Sequence, residues 1–155
     1  MKVHLWAFGA GSDDWVAQGE MIYQKRIGRY LPFEYKCIQP SKSKAREQVL
    51  AEEAKWLLQQ VEQTASYLIL LDEKGMQHTS PQLAQKLEQW RQGTHKRVVF
   101  VIGSAYGFDA SVYQRADELL GLSKMTLPHQ LCRLMMLEQL YRSCTILKGE
   151  SYHHS

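Results

Sequence analysis

Two pairs of side chains near the carboxyl end of this chain have types and spacing suited to chemistry. His129 and Arg133 lie four residues apart, as do Glu138 and Arg142. On a helix, each such spacing places its two groups on one face, within about 40° of each other. The pairs themselves point nearly opposite ways, so a single pocket takes only one of them. Imidazole moves protons near neutral pH, and guanidinium stabilises anions or binds phosphate. The plain alternative for Glu138 and Arg142 is a salt bridge worth a few tenths of a kcal/mol. Beyond them the chain ends in Tyr152, His153 and His154. Two adjacent histidines without further ligands make a poor metal site, so zinc is not expected. They bear on acid–base chemistry or RNA only if the tail folds over a crevice.

The element that must position the first pair begins at Leu122-Ser-Lys-Met-Thr-Leu-Pro-His129. Thr126 is expected to cap a helix whose first turn contains Pro128, where a missing N–H costs nothing. Upstream, strands and helices alternate. Strands are expected at Val3–Phe8, Phe33–Ile38 (closed by Pro40), Ser66–Leu71 (turned by Asp72 to Gly75), Arg97–Ile102 and Leu119–Ser123. Helices are expected from Ser12 or Asp13 to Gly28, over Arg46–Gln63, from a Ser80 cap, over Ala110–Glu118, and from Pro128 to Lys148. The central strands are almost continuously apolar, the pattern of strands covered on both faces. The fold class is therefore α/β, an open and largely parallel sheet with helices on both faces. Such sheets bind ligands at the carboxyl ends of their strands. Leu71-Asp72, Gly103 to Gly107 and Ser123 to Leu127 mark three such ends. The turn from Gly103 to Gly107 lacks the spacing of the dinucleotide fingerprint.

With 155 residues, 45% hydrophobic and 23% charged, the chain fits one globular domain. A net charge of +3 permits a polyanionic partner without demanding one. Basic clusters at Lys25-Arg26 with Arg29, at Lys42, Lys44 and Arg46, and at His95-Lys96-Arg97 alternate with tyrosines and could track phosphates. Cys37, Cys132 and Cys144 form neither an even disulfide set nor a metal spacing, which suits a reducing cytosol. No signal peptide or membrane span is expected, so the location read here is cytoplasmic. The last helix carries apolar side chains nearly all round, which predicts burial against a second subunit, Leu137 included.

Several of these segments, in this order, resemble the RlmH family. They are Val101-Ile-Gly103 with Gly107, the run from Leu122 to His129, Arg133, Glu138-Gln-Leu-Tyr-Arg142 and Tyr152-His153, together with Asp14-Trp15. The resemblance covers the whole chain. It implies a SPOUT-type methyltransferase, homodimeric, with a C-terminal trefoil knot. The family uses S-adenosyl-L-methionine to methylate N3 of a pseudouridine in helix 69 of 23S ribosomal RNA, on assembled ribosomes. Carried over by position, Leu71, Gly103, Leu122, Ser123, Lys124, Met125, Thr126 and Leu127 would hold the cofactor. His129, Arg142, Tyr152 and His153 would be catalytic, His153 or His129 taking the N3 proton. Arg133, Glu138, Arg142 and His154 would meet RNA. Two positions depart from the family. Ser104 replaces a second glycine and would crowd the pocket, and Ser151 replaces a common proline. A non-catalytic RNA- or ribosome-binding protein that keeps the fold is the alternative.

Overall fold

Period-two alternation in the strands decides which helices lie on which side of the sheet. The computed structural model describes residues 1–39 and 41–154, so Pro40 and the strand end expected there lie outside the described residues. The elements are β1 (Lys2–Phe8), α1 (Asp14–Ile27), β2 (Phe33–Ile38), α2 (Arg46–Gln63), β3 (Ser66–Gln77), α3 (Ser80–Arg91), β4 (Arg97–Ile102), α4 (Ala110–Arg115), β5 (Glu118–Gly121) and α5 (His129–Leu147). The five strands are all parallel in the order β2-β1-β4-β3-β5. Val3, Leu5 and Ala7 of β1 and Val98, Phe100 and Ile102 of β4 face α1, α3 and α5. Trp6, Phe8, Val99 and Val101 face α2 and α4. β1 and β4 therefore feed two cores, which is why the middle of the sheet reads as nearly unbroken apolar runs.

Five boundaries differ from expectation, three of them for a local reason. β3 is not ended by Asp72 to Gly75. Leu71 and Met76 both pair with Leu120, so the polar segment bulges out and the strand resumes. α3 is capped by Thr79, not Ser80. The Thr79 hydroxyl accepts from the Gln82 N–H while the Gln82 side chain accepts from the Thr79 N–H. Thr126 does not cap α5, which begins at His129 with Pro128 in the cap position and no side-chain cap. The residues before it are held instead by a local turn, the Met125 N–H donating to Ser123 Oγ at 2.9 Å. Finally, β5 ends at Gly121 and α4 at Arg115, each earlier than expected.

Leu137 also requires correction. It is fully buried in this chain's own core, with Met136 and Leu140. The large apolar side chains left exposed on α1 are Trp15, Met21 and Ile22, and those on α5 are Met135 and Leu147. These two helices pack closely, for a Cβ placed on Gly19 would lie 2.9 Å from the Leu134 side chain.

Candidate active site at the strand ends

Because β4, β3 and β5 are neighbours, their carboxyl ends open into one crevice. A cavity of about 380 Å³ lies there, walled by Leu71 to Lys74, by Ile102 to Ala105 with Gly107 and Phe108, and by Leu120, Leu122, Ser123, Met125, Leu127, His129 and Cys132. That volume and the mostly apolar wall suit a small organic ligand. Gly103 is required by close approach: a Cβ there would lie 2.8 Å from the Gly107 carbonyl oxygen and 3.1 Å from the Phe108 ring. The turn beyond it closes through the Gly107 N–H, which donates to the Ser104 carbonyl at 3.0 Å. Ser104 joins the wall, with its hydroxyl oxygen buried.

Of the residues expected to hold a cofactor, Leu71, Gly103, Leu122, Ser123, Met125 and Leu127 line this space. Lys124 and Thr126 are exposed and stand outside the lining, so their side chains are not part of it. Phe108, Cys132 and Tyr113 carried no signal of their own. Cys132 faces the cavity from the first turn of α5, and burial raises its thiol pKa. The Tyr113 hydroxyl donates to Asp72 and bridges α4 to the bulge of β3. Burial, followed by that hydrogen bond, pushes its phenol up to about 12.

His129 lines the cavity, but Arg133 does not join it on an RNA-facing surface. Arg133 is 3% exposed. Its Nη1 donates to the Ala10 carbonyl at 2.8 Å and its Nη2 to the Phe8 carbonyl at 3.4 Å. It therefore pins the β1–α1 loop to α5, aided by the Asp13 N–H, which donates to Gln130 Oε1 at 2.8 Å. The i,i+4 spacing holds; the side of the helix that Arg133 faces was not legible from it.

The second pair is built into a cluster with the tail. Arg142 Nε donates to Glu138 Oε1 at 3.0 Å, and the Tyr152 hydroxyl donates to the same oxygen at 3.0 Å. The guanidinium stands over the Tyr152 ring, 4.8 Å from its centroid, and its Nη1 is 3.1 Å from His153 Nδ1. A guanidinium only donates, so Nδ1 accepts and the imidazole proton resides on Nε2. That Nε2 is buried and has no partner among the described residues. The Glu138 hydrogen bond raises the Arg142 pKa and keeps it a cation. Burial, then hydrogen bonds to Tyr23 and Glu138, holds the Tyr152 phenol well above its ordinary range. His154 is exposed. Thirteen residues of helix separate His129 from Arg142, about 20 Å. One chain does not bring the cavity and the tail cluster together.

Among the described residues, no group of three or more His, Cys, Asp or Glu is placed to hold a metal, and no helix is long and apolar enough to cross a membrane. A family model described as a predicted SPOUT methyltransferase matches residues 1–153. A protein of Cytophaga hutchinsonii named ribosomal RNA large subunit methyltransferase H is 44% identical over 99% of this chain and 100% of its own length. The protein of that name from Geobacter metallireducens is 42% identical, over 100% of both chains. Among solved structures, a probable methylase family protein from Haemophilus influenzae superposes with a TM-score of 0.59 at 8% identity, over 99% of this chain and 70% of that one. A putative RNA methyltransferase from Bacillus anthracis gives 0.54 at 12% identity, over 92% and 94%. Those two likenesses concern the fold. The full-length matches settle the family: this chain is a SPOUT methyltransferase and belongs among the ribosomal RNA large subunit methyltransferases H, the RlmH family.

Proposed function

We propose that this chain uses S-adenosyl-L-methionine to methylate N3 of a pseudouridine in helix 69 of 23S ribosomal RNA, on the assembled ribosome in the cytoplasm. The observation that carries the reading is the cavity at the three strand ends, with an imidazole in its wall. The residues present fit the cofactor. Leu71, Leu122 and Leu127 offer an apolar wall for a flat ring, and Gly103 leaves room that any Cβ would close. When bound there, the cofactor supplies a methyl group already activated on a sulfonium centre. The protein's part is then alignment, exclusion of water and removal of the N3 proton. Proton acceptance falls to His129, since the lone pair of His153 is engaged by Arg142. The fixed cation at Arg142 stabilises the imide anion that deprotonation leaves.

That division of roles requires a second subunit. The tail cluster is about 20 Å along α5 from its own cavity, and it holds a buried, unpartnered His153 Nε2. A two-fold pairing through α5 and α1 sets the cluster of one subunit at the cavity of the other, burying Trp15, Met21, Ile22 and Met135. Ile22, 50% exposed, is the position that separates association from folding. Ile22→Glu is expected to sediment as a folded monomer that binds cofactor normally and methylates at under about 1% of the wild-type rate. A fully active monomer overturns the shared site. The C-terminal trefoil knot of the family is proposed with it, supported by membership of the SPOUT methyltransferases.

The direct test is transfer of labelled methyl from S-adenosyl-L-methionine to ribosomes lacking this modification, with separated subunits and free RNA in parallel. Label at the helix 69 pseudouridine of whole ribosomes is the expected result. Cofactor binding without label on any ribosomal substrate points to another RNA. No cofactor binding favours a non-catalytic ribosome-binding protein.

A further inference from the structure

We infer that Tyr106 and Arg46, with Lys42 and Lys44, form a stacking and phosphate-binding platform for single-stranded RNA beside the cavity mouth. The inference rests on the reading of this protein as an RNA methyltransferase and names where the strand next to the target nucleotide is held. Tyr106 stands in the Gly103–Gly107 turn between Ala105 and Gly107, both of which line the cavity, while its own ring is not part of the lining. Tyr106 is 42% exposed. A tyrosine held out at the rim of a ligand pocket gains little for folding, and an exposed ring face suits a nucleobase. Arg46, the first residue of α2, places its guanidinium 5.9 Å from the ring centroid. This contact limits the ring's freedom before RNA arrives and sets a cation where a phosphate would lie.

The segment preceding α2 adds charge in a fixed arrangement. The Ser43 N–H donates to Ser41 Oγ at 3.1 Å, the Ala45 N–H donates to Ser43 Oγ at 3.1 Å, and Ser43 Oγ donates to Gln48 Oε1 at 3.1 Å. The serines thus tie the segment to itself and to α2, while Lys42, Lys44 and Arg46 between and after them are exposed or partly so. Residues 41–46 contain no acid; Glu47, exposed on the first turn of α2, is the first. A row of cations beside an exposed ring matches the backbone and bases of a single strand better than any apolar or cationic partner. The bonded serines act on the lysines, so the two halves of the platform can be separated by mutation.

The test compares four proteins on one substrate, ribosomes lacking the modification, by methyl transfer and by co-sedimentation over a salt series. Tyr106→Ala is expected to raise the KM for ribosomes roughly five- to hundred-fold, with cofactor affinity and salt slope unchanged. Tyr106→Trp should keep wild-type KM, because any aromatic face stacks. Lys42→Gln with Lys44→Gln should weaken binding and flatten the slope of log affinity against log salt by about 1.4, near 0.7 for each phosphate left without its lysine. A Tyr106→Ala protein whose KM stays within twofold of wild type overturns the platform. So does a defect shared equally by Tyr106→Ala and Tyr106→Trp, which would mark a folding role for the ring. Wild-type protein that binds cofactor yet labels no ribosome overturns the underlying reading instead.

Discussion

Arg142→Ala is expected to lower methyl transfer by about a hundred- to a thousandfold while cofactor affinity stays within twofold of wild type. The change removes one guanidinium that performs three tasks. It neutralises Glu138 through Nε at 3.0 Å, it supports the Tyr152 ring at 4.8 Å, and it fixes the His153 imidazole at 3.1 Å. Without it, the Tyr152 hydroxyl and the Gln139 amide remain to serve the Glu138 carboxylate, and the His153 imidazole loses the donor at its Nδ1. Arg142→Lys retains a charge but not the fork that spans Glu138 and His153, so it should restore only a small part of the rate. Where the cluster acts is decided by mixing subunits. A dimer of one Arg142→Ala subunit with one His129→Ala subunit contains one intact composite site if cavity and cluster come from different chains. Recovery toward half the wild-type rate is then expected. If both belong to one chain, the mixed dimer has two damaged sites and no recovery follows.

Much of the scaffold behind that site was legible because its signals are local. Arg46–Gln63 and Arg97–Ile102 carry their periods in the sequence and fold over those same residues. The three strand ends were marked by Asp72, Gly103 and the Ser123 to Leu127 segment, and all three open into one cavity. What failed was information held between elements. The spacing of His129 and Arg133 gives a shared face but not its neighbour. The guanidinium lies beneath the β1–α1 loop because Phe8 and Ala10 present carbonyls there, a contact across more than 120 positions. A helix apolar on nearly every side likewise conceals which stripe meets its own core, so Leu137 read as well for an interface as Met135. Thr126 looked like a cap until the chain before Pro128 proved to be committed to the cavity wall. The tail cluster depends on Tyr152 and His153 folding back over a full turn of α5, which no local pattern records.

Gly75→Ala is expected to be the most damaging single-methyl change in the chain, although Gly75 lies on no predicted active surface. A Cβ there would sit 2.5 Å from the Leu120 carbonyl carbon and 2.6 Å from the Gly121 nitrogen. From the other side, a Cβ on Gly121 would lie 2.7 Å from the Gly75 carbonyl oxygen. Both obstacles are backbone, so no side chain can rotate away. Relief requires parting β3 from β5 where the strand resumes after its bulge, at the pairs of Met76 with Leu120 and Gln77 with Gly121. Overpacking of this kind costs about 3 kcal/mol or more. The same shift displaces Leu71 to Lys74 from Leu120 and Leu122, two facing walls of the cavity. Cofactor binding should therefore fall together with stability, whereas Arg142→Ala separates the two. Gly11→Ala is the control, since a Cβ at Gly11 meets nothing within 4 Å, and its stability should stay within about 0.5 kcal/mol of wild type. Urea unfolding and calorimetric titration with S-adenosyl-L-methionine measure both quantities. A Gly75→Ala protein as stable as Gly11→Ala would mean that the second half of β3 is free to move off β5, and the cavity would then lack the fixed wall on which the proposed alignment depends.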